Sequence, residues 1–404
     1  MKPSVCVAQL GARRSYAVPI ALSRHGCLAK LFTDFYLGNK PLMLRAANLL
    51  NNSSAAAQKI IHRNAAEIDS KFVHSFDWMG LHYALSLRLG RQSRNGLYSD
   101  IGARFGRNVA RVGLGDAEVV YGFNGAAKEI LESAKAQGKN TVLDQTIVPP
   151  LLIADIVRQE EKSWPGWQDV GTNNTEADEA MHQRDQAEWA VADRIFCGSQ
   201  FLADTIVAAG ADHSRCRVIQ YGVTPNSGHR RAKAPAFQSG PLKVLFAGQV
   251  GLRKGAPYLL EALAQLGPTK VTAIFAGEVK LKPDATRPFD DVAQFLGRVP
   301  RDRLTDLYAW ADVFVLPSLC EGSAMVTHEA HAHGLPQIWT DSTGAMLRDG
   351  KDGIRVPERD VGALVEALVR IREPSGYNLD PEPLTVPSLD TYGTSLLENM
   401  DFQK

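Results

Sequence analysis

The fold is decided by residues 312–340, which read DVFVLPSLCEGSAMVTHEAHAHGLPQIWT. The apolar run Val313–Leu316 is typical of a buried strand in a parallel sheet. A short helix is predicted from about Ala324 to Gly334, where Gly-Leu-Pro forms a typical helix stop. A second apolar run, Gln337–Thr340, follows at once. A strand, a crossover helix and another strand make the βαβ unit of a parallel sheet.

The same rhythm extends through the second half of the chain from Leu242 onward. Further strands are predicted at Val244–Ala247 and Val271–Ala276. Apolar residues recur at i, i+4 and i+7 from Leu259, which is helical spacing. Strands that alternate with helices predict an α/β fold with a doubly wound sheet.

The first half repeats this alternation less regularly. Its predicted strands are Val5–Ala8, Val119–Tyr121, Thr141–Leu143, Arg194–Cys197 and Val218–Tyr221. The acidic, polar stretch 158–190 is interpreted as a long loop with helical pieces. Trp164 and Trp167 in that stretch either stack on a ligand or pack against the domain.

A change of composition divides the chain into two domains. Residues 224–241, TPNSGHRRAKAPAFQSGP, lack any apolar period and are predicted to be a linker. The linker separates an N-terminal domain, 1–223, from a C-terminal domain, 242–380. Residues 381–404 are predicted to hold a helix that packs back on the N-terminal domain. Two such domains face each other across a cleft at the carboxyl ends of their strands.

Two carboxylates mark the predicted binding site. Glu321 falls in the loop between strand and helix, and Glu329 falls inside the helix. Gly322, Ser323 and Ala324 are small residues whose backbone N–H groups we expect to be free at the helix start. Such groups suit sugar hydroxyls or phosphate oxygens. A carboxylate at 329 suits the two neighbouring hydroxyls of a ribose.

Four segments together resemble the family 4 retaining glycosyltransferases of the GT-B fold. EGSAMVTHEAHAHGLPQI is similar to the E-x7-E signature of that family. VLFAGQVGLRKGAPYLLEAL resembles its phosphate-binding strand, loop and helix, and FLGRVPRDRLTDLYAWADVFVLPS resembles the stretch before the signature. ADRIFCGSQFLADTIVAAG with VIQYGV resembles the end of its first domain. The resemblance is strong over about 190–372 and weak over the first 150 residues.

The resemblance implies roles for particular residues. Lys254 and Arg253 would neutralise the donor diphosphate, where negative charge develops as the nucleotide departs. Glu321 would lie near the transferred sugar and Glu329 would hold the ribose. The remaining implied donor contacts are Gly11, Gly248, Gln249, Gly251, Arg298, Val299, Gly322, Ser323 and Ala324. The family needs no obligatory metal and no protein nucleophile, so none is assigned.

The chain departs from the family pattern at three positions. Gln249 stands where the family commonly has Arg, so Arg253 is expected to substitute for that cation. Phe123 and Asp144 stand where the first domain often carries histidines, which puts the catalytic contribution of that domain in question. Arg13 and Arg14 follow Gly11 closely enough to assist the diphosphate. The stretch 158–190 would then be an insertion on the acceptor side.

Composition excludes several classes of protein. The 404 residues contain no apolar run near the roughly 20 residues that a spanning helix needs. Five scattered cysteines without a CxxC pair predict reduced thiols in a cytoplasmic protein. Cys320 has no positioned histidine partner and is predicted to be inert. His328, His331 and His333 lack the i, i+4 spacing of a zinc helix, so no metal is predicted.

Charge is distributed unevenly. Residues 1–113 contain 16 Lys and Arg against 5 Asp and Glu, a balance of +11, and the remainder contains 29 against 39, a balance of −10. The basic part is predicted to meet an anionic membrane surface, a lipid-phosphate acceptor or an acidic glycan. The alternative is that the two halves attract each other or have simply drifted apart in charge. Dispersed arginines without a recognised motif argue against nucleic acid.

Three functions fit these features. The first is a transferase that moves a sugar from a nucleotide-diphosphate donor to a saccharide or lipid-linked acceptor in cell-envelope or exopolysaccharide assembly. It would work in the cytoplasm or at the inner face of the membrane. The second is a nucleotide-sugar epimerase of the same architecture, and the third is a non-catalytic sugar-nucleotide-binding protein.

Overall fold

Two parallel sheets with helices packed around them form the protein, which confirms the predicted α/β fold with two Rossmann-like domains. The computed structural model describes residues 2–49, 60–89, 94–169, 175–222, 240–372 and 387–402. The predicted linker at 224–241 lies outside these residues except for Gly240 and Pro241, so it stays a prediction.

The first sheet is built from the first 222 residues. Its strands are β1 (Val5–Gln9), β2 (Leu28–Thr33), β3 (Val73–Ser75), β4 (Val119–Phe123), β5 (Asn140–Gln145), β6 (Arg194–Cys197) and β7 (Cys216–Val218). The accompanying helices are α1 (Ala17–Arg24), α2 (Pro41–Leu49), α3 (Asp77–Leu89), α4 (Arg94–Val112), α5 (Lys128–Ala136), α6 (Pro150–Ser163), α7 (Thr175–Val191) and α8 (Gln200–Ala208). The strand order is β3-β2-β1-β4-β5-β6-β7. The order reverses between β1 and β4, so the loops after these two strands flank the crevice where such sheets bind ligands.

The second sheet follows the predicted strands closely. Its strands are β8 (Leu242–Ala247), β9 (Val271–Ala276), β10 (Ala293–Gly297), β11 (Val313–Leu316), β12 (Gln337–Trp339) and β13 (Gly353–Arg355). The remaining helices are α9 (Ala256–Leu266), α10 (Pro283–Thr286), α11 (Arg301–Trp310), α12 (Met325–Ala332), α13 (Val361–Arg372) and α14 (Leu389–Asn399). The order is β10-β9-β8-β11-β12-β13. Because β8 lies beside β11, the loops that follow these two strands are brought together.

The stretch 158–190, interpreted as a long loop with helical pieces, is more helical than that interpretation allowed. Helix α6 runs to Ser163, and α7 occupies Thr175–Val191. Periodicity missed α7 because its buried residues include carboxylates. Glu188 is fully buried and accepts hydrogen bonds from three backbone N–H groups at 125, 127 and 128, around the start of α5.

The two tryptophans after α6 pack against the protein, which was one of the two possibilities that the sequence left open. Trp164 and Trp167 contact each other and pack against the core of the second domain. Trp164 also makes an edge contact with Tyr258 of α9. The backbone of Trp167 accepts from Lys282 N at 2.7 Å. The segment after α6 therefore belongs in space to the second domain, although it precedes that domain in sequence.

The strand predicted at Val218–Tyr221 is wrong in its extent. Strand β7 ends at Val218, and Tyr221 instead turns its ring toward Arg14, whose guanidinium lies 3.8 Å from the ring centroid. Buried aromatic packing on a cation competes here with continuation of the sheet.

The final helix, α14, lies against the first domain. Leu389, Tyr392 and Leu396 are buried in the same apolar cluster as Tyr16 and Leu22 of the first domain. The Tyr392 hydroxyl accepts from Arg14 at 3.0 Å. None of the described helices is both long and apolar enough to cross a membrane.

Candidate active site

The loop after β8 carries the two cations predicted to bind a diphosphate. A short 3-10 helix at Leu252–Lys254 leads into α9 through Gly255, whose φ is +65°. A Cβ on Gly255 would lie 2.0 Å from the carbonyl oxygen of Pro317. Only glycine allows the two loops to approach this closely. The close approach sets Arg253 and Lys254 beside the loop that contains Glu321.

Glu321 pairs with both cations. Its Oε1 lies 2.7 Å from Arg253 Nη1 and 2.9 Å from Lys254 Nζ. All three side chains are largely buried, with 13%, 19% and 10% exposed for Glu321, Arg253 and Lys254. The arrangement is a carboxylate held between two cations at the carboxyl ends of adjacent strands.

The electrostatics of this trio follow from burial and proximity. Burial acts to raise the pKa of Glu321, but the charges of Lys254 and Arg253 outweigh it and the pKa is lowered. Burial lowers the pKa of Lys254, and the Glu321 charge offsets this only in part. The neighbouring thiol of Cys320 is fully buried, and burial raises its pKa to about 12. A buried thiol with a raised pKa agrees with the prediction that Cys320 is inert, which stays a prediction.

The loop after Glu321 touches the first domain. A Cβ on Gly322 would lie 2.1 Å from the carbonyl oxygen of Thr146. The Gly322 carbonyl accepts from Ser199 Oγ at 2.5 Å. The two domains therefore meet at the predicted sugar-binding loop, and Ser199 is a contact that the sequence did not reveal.

The N–H groups at the start of α12 are not all free, contrary to expectation. Ala324 N donates to the carbonyl of Thr343 at 3.2 Å. Ser323 Oγ, in contrast, is buried without a hydrogen-bond partner among the described residues. It is thus a polar group available to a bound molecule.

Glu329 occupies a separate part of the same domain edge. Its Oε2 accepts from the Tyr308 hydroxyl at 3.1 Å, and its Oε1 lies 3.5 Å from Arg301. Its side chain is 26% exposed. The structure does not join Glu329 to the trio of Glu321 by any described contact. Its carboxylate is therefore partly exposed and anchored by Tyr308.

The other predicted donor contacts are dispersed around this edge. Arg298 is mostly exposed and pairs with Glu278, whose pKa is lowered to about 2 by Lys280 and Arg298. Val299 packs partly buried against the second-domain core. A Cβ on Gly248 would lie 3.0 Å from Lys254 Nζ, so this glycine makes room for the lysine. Gln249 is half-buried beside it.

Gly251 shows a contact that sequence reasoning missed. A Cβ on this residue would lie 2.5 Å from Oε1 of Gln168. That same oxygen accepts from Leu252 N at 3.0 Å. Gln168 had no sequence signal because it lies in the stretch interpreted as a loop.

The first-domain residues that the sequence placed near the donor do not all lie where they could contact it. Gly11, with a φ of +79°, donates its N–H to Asp34 at 2.8 Å. Arg14 is not available to a diphosphate, because it pairs with the buried Asp144 and stacks between aromatic rings. Phe123 is also buried, 1% exposed. The residues at the histidine positions, Phe123 and Asp144, are therefore structural in this chain.

The part of the chain that carries this site is similar to a known family. Residues 241–373 match the family model described as glycosyl transferases group 1. This region of the chain, which forms the second domain, is similar to that family. The matched region contains the loop of Lys254 and the signature of Glu321 and Glu329.

Among curated group 1 relatives, a D-inositol 3-phosphate glycosyltransferase of Xylanimonas cellulosilytica is 29% identical over 202 residues, 44% of this chain and 48% of the relative. The amylovoran biosynthesis glycosyltransferase AmsK of Erwinia amylovora is 27% identical over 190 residues, 43% of this chain and 46% of the relative. The match therefore spans about half the length of each relative.

Among solved structures, HepE of Anabaena in complex with UDP and glucose aligns over 99% of this chain and 100% of its own, with a TM-score of 0.60 at 15% identity. Sucrose-phosphate synthase of Thermosynechococcus elongatus aligns over 98% of this chain and 94% of its own, with a TM-score of 0.61 at 17% identity. At this identity the likeness concerns the fold alone, which is the two-domain GT-B fold.

Proposed function

We propose that the protein is a retaining, metal-independent glycosyltransferase of family 4 that uses a nucleotide-diphosphate sugar. The observation that carries this proposal is the convergence of Lys254 and Arg253 on Glu321 at the ends of β8 and β11. Two buried cations face a single carboxylate, so the positive charge exceeds the negative charge by one. A group with more negative charge than a carboxylate can therefore bind there.

The diphosphate of the donor is that group. When the glycosidic bond to the diphosphate breaks, negative charge grows on the leaving phosphate oxygens. Fixed cations stabilise this charge without reorganising, and a buried site strengthens the effect. Lys254 and Arg253 supply the cations in this proposal, so no metal is required.

The remaining donor contacts surround these cations. Glu321 would then weaken its ion pair with Lys254 and accept hydrogen bonds from hydroxyl groups of the transferred sugar. Glu329 would accept the ribose hydroxyls while Tyr308 fixes its position, and Arg298 with Val299 would border the base. Gly11 would face the diphosphate from the first domain. Ser323 Oγ, buried and unpartnered, would bind a phosphate or sugar oxygen.

The acceptor is proposed to be a saccharide or a lipid-linked sugar of the cell envelope or of an exopolysaccharide. The names of curated relatives support this class. They include amylovoran biosynthesis and, in Escherichia coli, a galactosyltransferase for GlcNAc-diphosphoundecaprenol that is 26% identical over 187 residues.

A peripheral position at the inner face of the membrane fits the surface of the first domain. Leu42 and Met43 of α2 and Trp78, Leu81 and Leu85 of α3 are exposed, Trp78 by 83%. Lys40 and Asp77 pair at 3.0 Å and bring the starts of the two helices together. These exposed apolar groups lie within residues 1–113, the basic part of the chain, and this combination suits an anionic lipid surface.

The donor half is tested by thermal shift with UDP-, GDP-, ADP- and CMP-sugars. A ligand at 100 times its dissociation constant stabilises the fold by about 2.7 kcal/mol. We expect one nucleotide class to raise the melting temperature, and Lys254→Ala and Glu329→Ala to remove most of that rise. Glu132→Ala, an exposed carboxylate on α5, is the matched control and should behave as wild type.

The reaction is tested with the donor that binds. Release of free nucleoside diphosphate together with a glycosylated product supports a transferase, and retention of the anomeric configuration supports the retaining class. Epimerised donor without release would indicate the epimerase. Binding without turnover, across a panel of acceptors, would indicate a sugar-nucleotide-binding protein.

A further inference from the structure

A cavity of about 400 Å³ opens in the first domain at the carboxyl ends of β4 and β5. Its volume is within the range of small-molecule sites, about 300–1,000 Å³. Arg13, Tyr98 and Asp178 contribute polar groups to its wall, and Ile147 and Val157 contribute apolar ones. Arg13, which the sequence placed close enough to assist the diphosphate, contacts Thr146 and Tyr98 in the structure. The other four side chains have no role in the donor contacts described above.

The cavity adjoins the donor site on two sides. Gln168 lines the cavity, and its Oε1 also accepts from Leu252 N, in the loop after β8, at 3.0 Å. Ile147 lines it too, and a Cβ on Gly322 would lie 3.2 Å from the Ile147 Cα. A molecule in this cavity would therefore lie next to the residues that follow Glu321, on the side of the first domain.

Arg13 brings an uncompensated charge to this wall. It donates to Thr146 Oγ1 at 3.0 Å and to the Tyr98 hydroxyl, and its guanidinium lies 5.7 Å from the Tyr98 ring centroid. Within the part of the chain that the structure describes, no carboxylate pairs with it. Arg14, the next residue, has Asp144 as its counter-ion.

The backbone explains why two adjacent arginines face different surroundings. Arg14, Ser15 and Tyr16 all have positive φ, at 46°, 52° and 64°. Three successive non-glycine residues in this region are costly, at about 1–3 kcal/mol each, and persist only where surrounding contacts hold them. The turn sends Arg14 into the protein and leaves Arg13 on the cavity wall.

The cavity also carries hydrogen-bond acceptors. Asp178 is 8% exposed and accepts from Asn95 Nδ2 at 2.6 Å. Its carboxylate is not paired with Arg13, so the wall holds a cation and a carboxylate that serve different groups. The cavity thus offers three kinds of contact to a ligand. The cation can bind an anionic group, the carboxylate can accept hydrogen bonds from hydroxyls, and the apolar wall can pack against C–H groups. A charged sugar carries all three kinds of group.

We propose that this cavity is the acceptor subsite and that the acceptor is a sugar with an anionic group, phosphate or carboxylate, bound by Arg13. The proposal rests on the transferase function proposed above. The planar guanidinium forks onto either anion with two hydrogen bonds. Asp178 and Asn95 bind hydroxyls of the same sugar.

The test uses the full chain with its donor site filled by the nucleoside diphosphate that gives the largest thermal shift. Binding of glucose 1-phosphate, glucuronate and methyl glucoside is then measured by calorimetry. We expect at least one anionic sugar to bind about tenfold or more tightly than the neutral one. Preference for the phosphate indicates a phosphorylated or lipid-phosphate acceptor, and preference for glucuronate indicates an acidic glycan.

Variants assign the preference to Arg13. Arg13→Gln should remove it, and Arg13→Lys should keep part of it because the charge remains. Arg107→Gln, an exposed arginine on α4, is the matched control and should keep all of it. Equal binding of the three sugars to the wild type, or an unchanged preference in Arg13→Gln, would overturn the proposal. The nucleotide-induced shift is read in the same samples. Its loss in the wild type would refute the transferase function instead.

Discussion

Replacing Glu321 with Gln tests whether this carboxylate is the counter-ion that a donor diphosphate displaces. At 2.7 and 2.9 Å, and an effective dielectric constant of about 20, each attraction in the trio is worth about 6 kcal/mol before desolvation. The cost of burying the three charges offsets most of this sum. Removal of one partner from a buried pair typically costs about 3–5 kcal/mol, because the other charge is left buried and unpaired.

We therefore expect Glu321→Gln to lower the free energy of unfolding of the empty protein by about 3 kcal/mol. With the second domain as the unfolding unit, at about 2–4 °C per kcal/mol, the melting temperature of that domain should fall by roughly 6–12 °C. The affinity for the nucleoside diphosphate should change in the opposite direction. With no carboxylate competing for Lys254 and Arg253, we expect binding about tenfold tighter, or ~1.4 kcal/mol. Sugar transfer should fall, because a sugar contact is lost.

The assay combines thermal unfolding with calorimetric titration of the nucleoside diphosphate. Glu366→Gln, an exposed carboxylate on α13, is the matched control and should change neither quantity by more than about 0.5 kcal/mol. If Glu321→Gln melts as the wild type does, the carboxylate is not the counter-ion of the two cations. If it is destabilised but binds the nucleotide no more tightly, the diphosphate does not occupy the place of Glu321.

Three further predictions concern parts of the structure outside the trio. Burial, with a smaller contribution from His331, lowers the pKa of His328 to about 4. The unfolded chain therefore binds a proton that the folded one excludes as pH falls from about 6.5 to 4, and the free energy of unfolding decreases. In denaturant titrations, the free energy of unfolding should fall between pH 7 and pH 5 by about 2 kcal/mol less in His328→Asn than in the wild type. An equal fall in both proteins would contradict this. Tyr258→Phe removes the hydrogen bond of 2.7 Å to the buried Glu160 and should cost about 2 kcal/mol. A double-mutant cycle with Glu160→Gln that gives no coupling would rule the bond out as a stabilising contact. Trp78→Ser should reduce flotation with phosphatidylglycerol vesicles several-fold, and salt should reduce wild-type flotation; equal flotation of both proteins would refute the membrane surface.

The second domain could be predicted well because its strands are buried on both faces. An uninterrupted apolar run such as Val313–Leu316 strongly favours a buried strand. Gly334 and Pro336 mark the end of the helix that follows. The juxtaposition of Lys254 with Glu321 was implied only by resemblance. The structure supplies its physical reason, which is that β8 and β11 are neighbours in the sheet.

The first domain was harder to predict because its polar residues are buried. Helix α7 buries Asp178, Asp185 and Glu188, so no apolar stripe marks it in the sequence. Gln168 and Ser199 contact the second domain through single hydrogen bonds across 84 and 123 residues. Contacts between residues this distant leave no local pattern. The cavity beside Arg13 is invisible in the sequence for the same reason.

The enclosure of Arg14 has a consequence for the order in which the chain completes its folding during synthesis. The hydrogen bond from Arg14 to the Tyr392 hydroxyl joins residues 378 positions apart. At a synthesis rate of about 5–20 residues per second, roughly 20–80 s separate the emergence of the two partners from the ribosome. Throughout that interval the strained turn at residues 14–16 lacks one of the groups that hold it. The loop that presents Arg13 to the cavity therefore gains its last stabilising contact only near the end of translation, after the second domain has emerged.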